Sequence, residues 1–172
     1  MEGTLVHMAI DYAGAPNLNL FQPLGQFGSR HSHTPASAAY PKIALEPLQA
    51  LLYPAADAPV LEHVVDEGTS VEPQTYVSVI PAVLCYGGKG IATGWRTEMP
   101  QFRPRDIVEC CIELAKAERG DAGAMPAFEQ RAAELAPWFR GFGGTVERDG
   151  GAKGGWTVVG RYERRGKDLH VL

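Results

Sequence analysis

Long hydrophobic runs are missing from this 172-residue sequence. No window approaches the roughly 18 consecutive apolar residues of a membrane-spanning helix. Met1 is not followed by the basic and then apolar segments of a secretory signal. The expectation is a soluble protein, nuclear or cytoplasmic, with a virus-infected cell as one setting. Cysteine is scarce: Cys85, Cys110 and Cys111 offer neither a disulfide framework nor C-x-x-C metal spacing, so they read as reduced thiols near a core. Positive charge is not in excess, since the net charge is −4, and bulk electrostatics alone give no argument for nucleic acid. Nucleotide signatures fail as well. In "GGKGIATG", Lys89 is followed by Gly90 where a phosphate loop needs Ser or Thr, and Thr93 occupies the third glycine position of a dinucleotide loop. There is no G-x-S-x-G elbow and no D-x-D pair.

What is abundant is turn chemistry, with 20 glycines and 13 prolines. Leu5, Met8, Ala9 and Tyr12 follow a helical period over residues 4–12, ending before Gly14 and Pro16. "NLNLF", residues 17–21, alternates like a short strand. After Tyr40, Ile43, Leu48, Leu51 and Leu52 suggest a helix that Pro47 kinks or splits. Residues 55–73 carry little period, apart from a turn at "DEG". The β-branched run "YVSVIPAVLCYGG", residues 76–88, predicts a strand with Pro81 at an edge or bend. "GGKGIATGW" reads as a tight loop. "RPRDIVECCIELAKAERG" is the clearest helix, with Pro104 near its start, Asp106 in its first turn, Lys116 and Arg119 in its last, and Gly120 after it. "FEQRAAELAPWF" allows a shorter helix, and the last thirty or so residues predict three short strands. Elements in segregated runs point to an α+β fold.

The stretch "GQFGSRHSHTPASAAY", residues 25–40, holds most of the candidate chemistry. His31 and His33 lack the carboxylate or thiol neighbours of a metal site. Tyr40 is one of six tyrosines, and a phenol with a pKa of about 10 is a poor nucleophile at neutral pH. From Glu147 onward there are six Lys or Arg against four Asp or Glu, which by itself reads as a solvated charged hairpin.

Several of these segments together resemble the type IIA DNA topoisomerases in their eukaryotic and large-virus form. "NLNLFQPLGQFGSR" is similar to the family's N-L-N-L-L-Q-P-I-G-Q-F-G-T-R, and "SAAY" stands where the family has S-P-R-Y. "VEPQTYVSVIPAVLCYGGKGIATGW" is similar to V-E-P-x-x-Y-x-P-I-I-P-x-V-L-x-N-G-x-x-G-I-G-T-G-W. "FRPRDIVE" and "FRGFGGTVE" continue in the same order, so the resemblance runs through effectively the whole chain.

The resemblance implies reversible cleavage of duplex DNA through a 5′-phosphotyrosyl link, with Tyr40 as nucleophile. It implies DNA contacts at Gln26, Arg30 and Lys89, and an apolar wedge at Ile91 that enters the base stack. Residues 1–58 correspond to the later part of a winged-helix domain and 59–172 to the first part of a tower domain. ATP and Mg²⁺ are implied for the family but would be bound by ATPase and metal-binding (toprim) regions outside this sequence, in an assembly that is a homodimer. One departure is pronounced: Ala39 stands where the family places an arginine beside the tyrosine. Losing that charge costs on the order of several kcal/mol of barrier. His31 or His33 is the candidate to fill part of the gap. Pro41 and a somewhat shorter loop are further departures. Two rival expectations follow, a non-catalytic DNA-binding remnant of the same core and a folded fragment without present function.

Overall fold

The computed structural model describes residues 2–37, 39–150 and 154–171. Ala38 of "SAAY", Lys153 of the basic run and Leu172 at the end of the last expected strand lie outside the described residues. Among the described residues, five helices and ten strands are arranged as an α+β fold, with α1 at Glu2–Ala9 followed by β1 (Phe21–Leu24) and β2 (Lys42–Leu45). Next come α2 (Pro47–Leu52), a 3₁₀ turn at Ala55–Val60, β3 (His63–Asp66), β4 (Thr69–Pro73) and α3 (Val83–Tyr86). Then follow β5 (Gly88–Ala92), β6 (Trp95–Met99), α4 (Pro104–Glu118) and α5 (Ala124–Glu134). The chain closes with β7 (Thr145–Arg148), β8 (Trp156–Val159), β9 (Tyr162–Arg165) and β10 (Asp168–Val171). Among the described residues, each sheet is an antiparallel pair of successive strands. Among the described residues no helix is long and apolar enough to cross a membrane.

Two apolar clusters hold these elements. The larger gathers Leu18, Leu52, Ile80, Cys85 and Ile107, and the smaller joins Ala9, Ile10, Ala15 and Phe27. Burying each large aliphatic side chain contributes about 1.5–3 kcal/mol. The helix α4 follows its sequence signals, since Pro104 opens it, Asp106 and Lys116 complement its dipole, and Ile107 and Cys110 face the interior. Glu109 ties α4 to α5, receiving Arg131 at 2.6 Å and Arg105 at 3.2 Å.

Several local expectations are corrected. The first helix stops at Ala9 rather than Tyr12. Residues 17–20 form no ladder. Leu18 enters the larger cluster while Asn17 and Asn19 are buried on side-chain hydrogen bonds, and the strand starts only at Phe21. Lys42–Leu45 is a strand paired with Phe21–Leu24, so Pro47 starts a helix instead of kinking one. The connection over 55–73 contains the 3₁₀ turn and the β3–β4 hairpin, whose turn uses positive φ at Glu67 (48°) and Gly68 (81°). No strand forms over 76–87. Val79 makes one main-chain bond, to Leu52, and Pro81 stands just before Ala82, the N-cap of the single-turn α3, so burial of Ile80 and Cys85 overrides β propensity there. "GGKGIATGW" is no simple loop but most of a hairpin with five paired rungs. Among its described residues the C-terminal stretch has four strands, because the second expected strand breaks at Gly160.

Candidate DNA interface

The loop over 25–41 is a long excursion between two paired strands, closed by the rung Leu24↔Lys42. Gly25 follows that rung with φ +121°, and a Cβ there would lie 3.4 Å from Pro41 Cα, so the tight closure favours glycine. Phe27 is buried in the smaller cluster and anchors the loop's first arm. Gln26 holds the second arm: its carbonyl accepts from the Ala36 amide at 3.1 Å, and its side chain donates to Thr34 O at 3.4 Å. Beyond Phe27 the chain folds back tightly. Ser29 N donates to Ser32 O at 2.7 Å, and Gly28, at φ +96°, packs on the Ser32–His33 backbone.

That turn sets Arg30 and His31 at its exposed tip. Arg30 also lines a cleft of about 260 Å³ with Ala13, Gly14, Phe139, Gly141 and Phe142. His33 instead stacks on Tyr12, with ring centroids 5.5 Å apart and planes inclined by 15°. Tyr40 stands just before Pro41 at the loop's end, its amide bonded to Ser37 O at 2.9 Å and its side chain 79% exposed. Ala39 beside it is exposed and adds no charge.

The second group of residues lies on the β5–β6 hairpin. Alternation puts Lys89, Ile91, Arg96 and Glu98 on one face, through the rungs Lys89↔Glu98 and Ile91↔Arg96. Ile91 is 81% exposed, an unsupported apolar side chain near the tip. Glu98 takes both Arg96 and Lys89, the latter at 3.7 Å. Exposed ion pairs are worth about 0–1 kcal/mol, so Glu98 holds the two cations only weakly. The turn Thr93–Gly94 carries a second bare apolar group, Trp95, which is as exposed as Ile91. Sequence reasoning missed Trp95 and Arg96; the cue was the alternation of "KGIATGWRTE" around Thr-Gly.

The structure therefore places Gln26, Arg30, His31 and Tyr40 on one anchored loop, turns His33 toward Tyr12, and carries Lys89 and Ile91 on a separate hairpin. Among the described residues no three His, Cys, Asp or Glu side chains cluster to hold a metal ion.

Comparison with known proteins gives a consistent likeness along the chain. The family of DNA gyrase/topoisomerase IV A subunits matches residues 1–171. DNA topoisomerase 2 of Arabidopsis thaliana is 37% identical over 167 residues, covering 95% of this chain and 10% of that protein. DNA topoisomerase 2 top-2 of Caenorhabditis elegans is 39% identical over 146 residues, covering 84% of this chain and 9% of its own. The crystal structure of the Plasmodium falciparum topoisomerase II DNA-binding, cleavage and re-ligation domain superposes with a TM-score of 0.74 at 27% identity. That match covers 98% of this chain and 22% of the solved one. The chain spans about a tenth of the length of the curated relatives it matches.

Proposed function

Since this chain belongs to the family of DNA gyrase/topoisomerase IV A subunits, we propose that it supplies the breakage-rejoining segment of a type II DNA topoisomerase. The observation that carries the reading is the setting of Tyr40, a bare phenol at the end of a loop whose glycines and Phe27 anchor let backbone lie close to a phosphate. Residues 1–58 are read as the later part of a winged-helix domain and 59–172 as the first part of a tower.

The chemistry is a phosphoryl transfer. The Tyr40 hydroxyl oxygen attacks a backbone phosphorus of double-stranded DNA, and the bond from phosphorus to the 3′ oxygen breaks. The phenol loses its proton, the leaving 3′ oxygen gains one, and the 5′ end stays on the tyrosine. Religation runs the same step backward. Arg30 at the loop tip binds a neighbouring phosphate, with Gln26 shaping the loop and His31 adding a further donor. His33 acts through its stack on Tyr12. Ile91 enters the base stack and bends the duplex while Lys89 takes backbone phosphate in place of Glu98. ATP hydrolysis and the carboxylates for Mg²⁺ belong to ATPase and toprim polypeptide, and the working assembly is a homodimer.

The test combines the chain with an ATPase–toprim polypeptide, supercoiled DNA and Mg²⁺, and stops the reaction with denaturant. A covalent protein–DNA adduct that disappears with Tyr40→Phe supports the reading. Ala39 favours one alternative, a non-catalytic DNA-binding remnant of the same core, because no cation accompanies the nucleophile in sequence. Tight DNA binding with no adduct selects that alternative.

A further inference from the structure

Two buried asparagines and a partly exposed arginine form a polar joint between the tyrosine loop and the wedge hairpin. Asn17, only 4% exposed, donates through Nδ2 to Phe102 O at 3.0 Å and to Trp138 O at 2.7 Å. Its Oδ1 accepts from the Arg140 amide at 2.9 Å. Both N–H bonds of the amide are used, and its carbonyl is engaged, so only one orientation of the side chain satisfies all three partners. Asn19, 7% exposed, donates to Ala9 O and Ile10 O at the end of α1, at 3.3 and 3.0 Å. The Arg140 guanidinium closes the network, donating to Asn19 Oδ1 at 3.3 Å and Asp11 O at 3.2 Å.

The joint lies where the two functional elements meet the body of the protein. The strand β1, which leads into the tyrosine loop, begins just after Asn19. The wedge hairpin ends at Met99, and its exit chain is clamped at once: Phe102 bridges Pro137, and Trp138 N donates to Gln101 O at 2.8 Å. Asn17 plugs into that clamp. The turn after Arg140 also lines the Arg30 cleft, together with Ala13 and Gly14. A shift at the joint thus moves Arg30's surroundings, the root of the tyrosine loop and the exit of the wedge hairpin relative to one another. A satisfied polar network of this kind rigidifies its surroundings, so loss of one member loosens all three.

We infer that Asn17, Asn19 and Arg140 are positioning residues that hold the Tyr40 loop and the Ile91 hairpin at a fixed separation, so that the bent phosphate meets the phenol. The inference rests on the DNA-cleavage reading for its consequence but not for the joint itself, and the experiment separates the two. Spin labels are placed at Ser37 and Thr93 through an unnatural amino acid that spares the native cysteines, and their separation is measured by pulsed electron resonance. The wild type is expected to give one narrow distribution. Asn17→Asp, which turns a carboxylate onto two carbonyl oxygens, and Arg140→Ala are expected to broaden it, with Arg140→Lys between. Circular dichroism checks folding; if Asn17→Asp fails to fold, the partly exposed Arg140 variants carry the test.

The second readout is adduct formation with the ATPase–toprim polypeptide, beside DNA affinity. A misplacement of about 1 Å costs roughly 100-fold in rate. Adduct formation is therefore expected to fall on the order of 10- to 100-fold in both variants, with affinity nearly unchanged and Arg140→Lys recovering part of the rate. Identical distance distributions in wild type and variants would overturn the joint. Loosened distributions with wild-type cleavage would overturn its positioning role. A wild type that never forms adduct refutes the cleavage reading instead, and the distance measurement alone then decides the joint.

Discussion

Replacing Ile91 by alanine tests the proposed wedge apart from everything else the hairpin does. The side chain is 81% exposed in the free protein, so its loss leaves the fold within about 0.5 kcal/mol of the wild type. Inserted between bases, the same side chain is buried. Alanine removes three carbons, each worth about 0.8 kcal/mol on burial, and scaling by the exposed fraction leaves about 2 kcal/mol of insertion energy. That is roughly a 30-fold fall in the ratio of bent to straight duplex. The assay is energy transfer between dyes at the ends of a short duplex at saturating protein, with affinity from anisotropy and stability from a thermal melt. Lys89, Arg96 and the loop residues remain, so affinity falls less than bending. An unchanged bent-to-straight ratio in Ile91→Ala would refute the insertion argument, whatever happens to affinity.

Further predictions concern the loop, the core and the β3–β4 hairpin. Ala39→Arg places a cation beside the nucleophile at an exposed position, and adduct formation in the reconstituted assembly is expected to rise on the order of 100-fold, as for regaining one transition-state donor; no rise contradicts the role given to that missing charge. Burial, with a smaller contribution from the neighbouring Cys111, pushes the Cys85 thiol up to about 11. Its thiolate fraction at pH 8 is then about one in a thousand, so iodoacetamide should label it far more slowly in the native protein than in denaturant, and equal rates would contradict its placement. His63 lies with Nδ1 2.8 Å from Val71 O and Nε2 3.1 Å from Ala58 O, and those two carbonyls raise its pKa above the ordinary value. Only the charged ring donates to both. The extra stability is therefore fully present below the unfolded pKa of about 6.5 and lost as pH rises through the higher folded value. Hydrogen exchange of the β3–β4 amides should accelerate over that window beyond the intrinsic pH effect, and an NMR titration placing His63 at or below its ordinary value would contradict this.

Legibility in the sequence followed how local each cause is. The α4 helix was readable because Pro104, Asp106, Lys116 and Gly120 act within their own turns. The turn at "DEG" was readable for the same reason. The strand Lys42–Leu45 was not, because its partner Phe21–Leu24 lies across a long loop, and spacing at Ile43, Leu48, Leu51 and Leu52 mimicked a helix. Asn17 looked like one half of a strand alternation; its partners Phe102 and Trp138 are 85 and 121 residues away, so no local pattern announces it. At the site, the resemblance singled out Tyr40 and Ile91 as candidates, whereas the hairpin that raises Ile91 and exposes Trp95 emerged only from strand pairing. The stack of His33 on Tyr12 was likewise invisible in "HSH".

Tyr40 is proposed to carry the DNA. The most direct measurement digests the quenched adduct with nuclease and protease and sequences the nucleotide-bearing peptide by mass spectrometry. The account predicts a phosphodiester-linked nucleotide on the Tyr40 phenol, joined through its 5′ phosphate. Linkage at any other residue, or through a 3′ phosphate, would contradict it.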